Sequence, residues 1–180
     1  MFALFSDNGL VSNHKREIFR EVKEKVAYVA LDYEAEMRNY VESKDKTYEL
    51  PDGNPLNVGK LRFDCPEVLF KPMGIIGKGV HELIFESIMK CEISLRKNLF
   101  HNIIISGGNT MIPGFVERIN KEMGDLTSSS IKIIAPPDRI YSAFLGGSIL
   151  TSLSSFSYSW ITKYEYDENG PCIVNKKCLI

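Results

Sequence analysis

The sequence has little of what marks several large functional classes. Its 180 residues hold only four cysteines, at positions 65, 91, 172 and 178. No two of them form a CxxC pair, so a disulfide scaffold, a zinc site and a redox motif are all unsupported, and a reducing compartment fits best. Neither sign of charge dominates: 22 Lys+Arg stand against 23 Asp+Glu, a formal charge of -1. That balance gives no basic footprint for nucleic acid. The three histidines, His14, His81 and His101, are dispersed and none lies in H-E-x-x-H, so each reads as a surface or cap residue rather than a ligand. G-x-S-x-G, G-K-[ST] and the kinase signatures are missing as well. Glu165 and Asp167 lie two apart on a predicted helix and point apart, which argues against a working carboxylate pair.

Targeting signals are equally sparse. The apolar opening Met1–Phe5 is short and has no basic residue before it, unlike a signal peptide. Cys178 is third from the end, whereas prenylation requires the fourth position. Ile140–Thr162 carries no charge and is long enough to span a bilayer, but it holds seven serines, two threonines and the pair Gly146-Gly147. Each unpartnered hydroxyl in hydrocarbon costs a few kcal/mol, so no membrane span is expected. The stretch reads instead as a buried strand and helix.

What is present is an ordinary globular composition, 44% hydrophobic and 25% charged, which argues against disorder. The length suits one domain or two small lobes. Ile18, Val22, Val26 and Val29 recur at helical spacing and predict a helix over Asn13–Tyr33, capped by Ser12 or Asn13. Its Glu21 and Lys25 form a favourable i,i+4 pair. Two extended runs around Pro51-Asp52-Gly53 predict a hairpin. Pro66 is expected to open a short helix. Helices follow over Val80–Met89 and after Pro113, where Phe115, Ile119 and Met123 share a face, with a helical turn at Ser94–Lys97. Ile103-Ile104-Ile105 reads as a strand buried on both faces, Ile131–Ile134 as a second and Tyr141–Leu145 as a third. Gly146-Gly147 then leads into a short helix over Ser148–Leu153, and a tail helix at Ile161–Asp167 stops near Gly170-Pro171. Alternating helices and strands place the chain in the α/β class.

Two local features are candidate binding elements. Gly107-Gly108 after the Ile103–Ile105 strand permits close approach of another body, and the helix beyond it offers free N–H groups to a ligand. Most turns of this kind only connect elements. Arg20, Lys23 and Glu24 share one helix face. Such a ridge is usually just the solvated side of an amphipathic helix. The sharper reading places it over a ribose and base.

Several longer runs then fall into one pattern. Arg16-Glu17-Ile18, Val22–Lys25 and Tyr28–Asp32 give REI, VKEK and YVALD. Tyr48–Gly53 gives YELPDG, and Ser87–Cys91 gives SIMKC. Ser106-Gly107-Gly108, Thr110-Met111 and Pro113-Gly114 give SGG, TM and PG. Ile133–Pro137, with Arg139 and Tyr141-Ser142, gives IIAPP, R and YS. Gly146–Leu150 gives GGSIL, and Trp160–Lys163 with Glu165–Glu168 gives WITK and EYDE. In number and order these runs resemble the actin family over nearly the whole chain.

The resemblance is to the carboxyl-terminal half of that family's actin-like ATPase, ribonuclease-H-like fold. It implies that 1–75 is the rest of an outer lobe on the nucleotide-cleft side. It assigns 76–141 to an inner lobe with the adenosine-binding loop, and 142–180 to a carboxyl-terminal return segment. By the same resemblance Arg20, Lys23 and Glu24 line the ribose and base of ATP or ADP. Gly107, Gly108, Asn109 and Met111 close the loop beneath. The family has a Tyr beside the adenine where this chain has Ile112, and a Lys where it has Ile140; losing the ring costs about 1 kcal/mol of stacking. The glycine loop Phe70–His81 is shorter than the family's, which bears on filament contacts.

The phosphate hairpins and the groups positioning Mg²⁺ and the attacking water belong to the other half of that fold. The resemblance therefore implies a partial ATP/ADP site, Mg²⁺ only if that half is supplied, and no useful hydrolysis by this chain alone. Ile149, Leu150 and Leu153 match one side of the groove that accepts a helix of actin-binding proteins. The expected partners are actin, a second copy or such proteins, with a cytoplasmic, cytoskeletal location. Readings as a half-actin interaction module or as a subunit of a nuclear chromatin complex stay open.

Overall fold

The computed structural model describes residues 15–40, 47–72 and 77–177. The helical stripe near the amino terminus becomes α1, Lys15–Val26, and ends earlier than its spacing predicts. Residues 27–30 leave the helix, with Ala27, Val29 and Ala30 only 4–6% exposed and Tyr28 half-buried. The Val29 N–H donates to the Pro113 carbonyl at 2.8 Å, and Tyr28 N–H to the Arg62 carbonyl at 3.0 Å. A cross-chain partner for these amides thus overrides the local helical preference that Val29 had extended. The proposed caps Ser12 and Asn13 lie outside the described residues. After Asp32, whose carboxylate accepts from Ala35 N–H, comes α2, Tyr33–Asn39.

The hairpin forms as expected. β1, Thr47–Glu49, pairs antiparallel with β2, Pro55–Asn57, Tyr48 opposite Leu56. Gly53 takes φ +79° in the turn, a region L-residues avoid. Tyr48, Leu50 and Leu56 pack with Ile18 on a small core of Val22, Val26 and Val58.

Pro66 does not open a helix. It lies near the end of α3, Leu61–Glu67. Proline has no N–H to return to the carbonyl four residues back. That carbonyl, on Arg62, is the one that accepts from Tyr28.

α4 covers Val80–Met89, matching its prediction, and α5 covers Ile93–Phe100, longer than the single turn expected at Ser94–Lys97. β3, Ile103–Ile104, pairs parallel with β4, Ile133–Ile134. Between them α6, Phe115–Leu126, buries Phe115, Ile119 and Met123 on one face. These three join Val29, Phe70, Ile88, Phe100, Ile103 and Ile105 in the main core. Ile119 and Met123 are fully buried, so each removes a side chain worth about 1.5–3 kcal/mol from water. β3 is covered on one face only: Ile103 is 8% exposed but Ile104 is 70% exposed. The continuous apolar run had implied cover on both.

The carboxyl-terminal segment departs furthest from expectation. Tyr141–Leu145 is not a strand; α7 runs Ser142–Ser152, straight through Gly146-Gly147. None of its residues is buried, although Phe144 is 76% and Ile149 65% exposed. Its hydroxyls bond back into their own helix, Ser152 Oγ to the Ser148 carbonyl at 2.8 Å and Thr151 Oγ1 to that of Gly147 at 3.0 Å. A helix satisfies its backbone internally, whereas a lone strand needs a neighbour. α8, Lys163–Asn169, starts at a Thr162–Glu165 capping box and stops at Gly170, as predicted, and α9, Ile173–Lys177, follows. Among the described residues, no helix is long and apolar enough to cross a membrane.

Candidate functional site

The two candidate elements meet. Lys23, on α1, donates from Nζ to Asn109 Oδ1 at 3.1 Å, joining residues 86 apart in sequence. The rest of the ridge behaves differently. Arg20 pairs with Glu17 at 2.7 Å on its own helix, both side chains well exposed, and Glu24 is exposed. Only Lys23 among the three therefore reaches the turn through a direct bond. Glu21 and Lys25 pair at 2.5 Å, which holds the Glu21 carboxyl below and the Lys25 ammonium above their ordinary values. Lys25 also reaches the Tyr48 hydroxyl at 3.3 Å, tying α1 to the hairpin.

The turn is built on a strand and held from the other side. Ile105, buried, donates its N–H to the Ile134 carbonyl at 3.1 Å, so the chain leaves the sheet at a fixed point. Gly107 then adopts φ +96°, and a single 3₁₀ turn spans Gly108–Met111. Nothing lies within 4 Å of where a Cβ would sit on Gly107 or Gly108. The turn thus presents bare backbone to open space. Thr110 Oγ1 donates to the Gly107 carbonyl at 2.8 Å. Met111 is 36% exposed at the end of the turn.

Arg139 escaped notice as a site residue, yet it grips this turn. Its Nε donates to Thr110 Oγ1 at 3.0 Å and one terminal nitrogen to the Thr110 carbonyl at 2.7 Å. Its own carbonyl accepts from Gly107 N–H at 2.9 Å. An Arg soon after Pro136-Pro137 is the signal that sequence offered; nothing local says which carbonyl it meets.

The spacing between α1 and α6 is set by tight backbone contact. Gly114 caps α6 at φ +83°, and a Cβ there would lie 2.2 Å from the Val29 carbonyl oxygen. Behind it Arg118, 3% exposed, donates to both Glu67 carboxylate oxygens at 3.0 Å, to Glu122 at 2.5 Å and to the Ala30 carbonyl at 2.7 Å. Burial works to lower the Arg118 pKa, but its hydrogen bonds to the Glu67 and Glu122 carboxylates outweigh it and the net shift is upward.

Ile112 is buried rather than exposed beside the turn. It is 7% exposed and belongs to the main core, because the 3₁₀ turn ends at Met111 and the chain then dives inward. Ile140, at the other departure, is 45% exposed. His81 stacks on Phe70, with ring centroids 6.0 Å apart, and His101 Nδ1 lies 2.8 Å from the Lys97 carbonyl; His14 lies outside the described residues. Among the described residues, no three acidic, His or Cys side chains gather as a metal site.

Comparison with known protein families matches the Actin family over residues 8–179. The chain belongs to the actin family. Its helices and small sheets are compatible with an actin-like fold. Actin-family proteins generally bind ATP or ADP, and the family points to self-association or actin-binding partners and to a cytoskeletal, cytoplasmic setting. In this actin-family chain the side-chain-free glycine turn and the Lys23 ammonium are chemically suited to an anionic nucleotide.

Proposed function

We propose that this actin-family chain corresponds to the carboxyl-terminal half of the fold and forms the adenosine side of a nucleotide cleft, in a structural, filament-related protein. The observation that carries this reading is the Lys23–Asn109 bond, which draws the α1 ridge and the Gly107-Gly108 turn together. Arg20, Lys23 and Glu24 would flank the ribose and base, and Gly107, Gly108, Asn109 and Met111 would lie beneath them. Nucleotide would act as a conformational cofactor, with phosphate-gripping groups and any Mg²⁺ supplied from elsewhere. Titration calorimetry with ATP tests the reading. Binding tighter than ~100 µM, more than about 5 kcal/mol, supports it; no heat at millimolar ATP refutes it.

A second reading has its own support. α7 exposes Ile149 at 65% and Leu150 at 50%, with Leu153 just beyond at 51%. These residues suit an apolar groove or a face completed by another body. A half-actin interaction module that binds actin or an actin-binding protein without using nucleotide would explain that surface. Co-sedimentation with actin filaments, alongside the calorimetry, separates the two.

A further inference from the structure

We propose that Arg139 is a positioning residue for the nucleotide turn; this rests on the nucleotide reading above. The turn has two soft points. Gly107 and Gly108 have the widest backbone freedom of any residue type, and both face open space. Left to themselves they would sample many conformations, and ordering them on binding would weaken affinity. Arg139 removes that freedom from behind. Its side chain holds both the hydroxyl and the carbonyl of Thr110, while its own carbonyl holds the Gly107 N–H at 2.9 Å. Thr110 Oγ1 in turn donates to the Gly107 carbonyl at 2.8 Å, so one guanidinium fixes both ends of the bend.

The remaining terminal nitrogen of Arg139 donates to the Pro136 carbonyl at 3.1 Å, which anchors the side chain on the segment that follows β4. A planar guanidinium meets three such acceptors at once; an ammonium on a flexible stem does not. Asn109, one residue before Thr110, is thereby set where Lys23 reaches it. Arg139 thus acts through the turn and need not touch the ligand.

The test compares the unaltered chain with Arg139→Ala and Arg139→Lys, using fluorescent etheno-ATP for affinity and amide hydrogen exchange over Gly107–Met111. Arg139→Ala should weaken binding about tenfold or more and speed exchange in the turn while α6 stays protected. Arg139→Lys should recover part of both. Equal affinity of Arg139→Ala and the unaltered chain overturns the assignment while leaving the nucleotide reading intact. Unchanged exchange in the turn overturns it too. Silence of the unaltered chain toward the probe refutes the nucleotide reading itself and the assignment with it. Should Arg139→Ala fail to fold, the lysine variant decides, since it keeps the charge and loses the fork.

Discussion

Replacing Gly114 by alanine should cost far more than the same change at Gly53, Gly107 or Gly170, which also have positive φ but open space where a Cβ would sit. Two terms add. The residue sits at φ +83°, and an L-residue held there pays about 1–2 kcal/mol. The new methyl would also lie 2.2 Å from the Val29 carbonyl oxygen, a backbone atom that has no rotamer to escape into. The segment 27–30 must then move away, and the Val29 N–H loses the Pro113 carbonyl it now holds at 2.8 Å. An orphaned buried amide costs about 1–3 kcal/mol. The total is about 2–5 kcal/mol, a large share of the 5–15 kcal/mol typical of a folded domain. Gly53→Ala is the control: φ is +79°, but nothing lies within 4 Å, so only the backbone term of about 1 kcal/mol remains. Urea unfolding followed by circular dichroism reads both. With a slope of about 1–3 kcal/mol per M, Gly114→Ala should lower the midpoint by ~1 M or more. Equal midpoints for the two variants would refute the reasoning.

Three further outcomes are expected. Glu67→Gln should destabilise by about 3 kcal/mol in the same assay, because Arg118 would stay buried with part of its compensation gone; the paired change Glu67→Leu with Arg118→Met should recover much of that loss. The Lys177 ammonium, 2.7 Å away, and the Thr162 cap bring the Glu165 carboxyl from 4.5 down to about 2. Since the folded value is the lower one, this contact stabilises the tail above pH 4.5 and fades as pH falls towards 2; NMR titration of Glu165 should move up towards 4.5 in Lys177→Met. Finally, Ile149→Lys should raise the monomeric fraction by size exclusion with light scattering and leave the unfolding midpoint unchanged, because its side chain is 65% exposed.

Residues whose partners lie nearby in sequence were legible. α4 and α6 follow their apolar spacing, the Pro-Asp-Gly hairpin follows turn chemistry, and Thr162 with Glu165 announces α8. Long-range partners were not. Val29 fits the helical stripe, yet it lies beyond the helix end with its N–H held by the Pro113 carbonyl. Ile112, where the resembled family has a Tyr, turns inward into the core after the 3₁₀ turn. Tyr141–Leu145 has the composition of a strand but finds no sheet, so its backbone closes on itself as α7. At the candidate site, Lys23 and the glycine turn could be named beforehand as separate weak signals. Their meeting, and the hold of Arg139 behind them, depend on contacts 29 and more residues apart.

Pro66 gives two distant segments a shared fate. The rung that α3 forgoes is the one through which Tyr28 is tied down at 3.0 Å, so neither stretch can melt without releasing the other. A missing hydrogen in one helix thereby becomes a tie to a segment more than thirty residues away in sequence. Breathing of the chain beside α1 should track fraying of α3 as a single event.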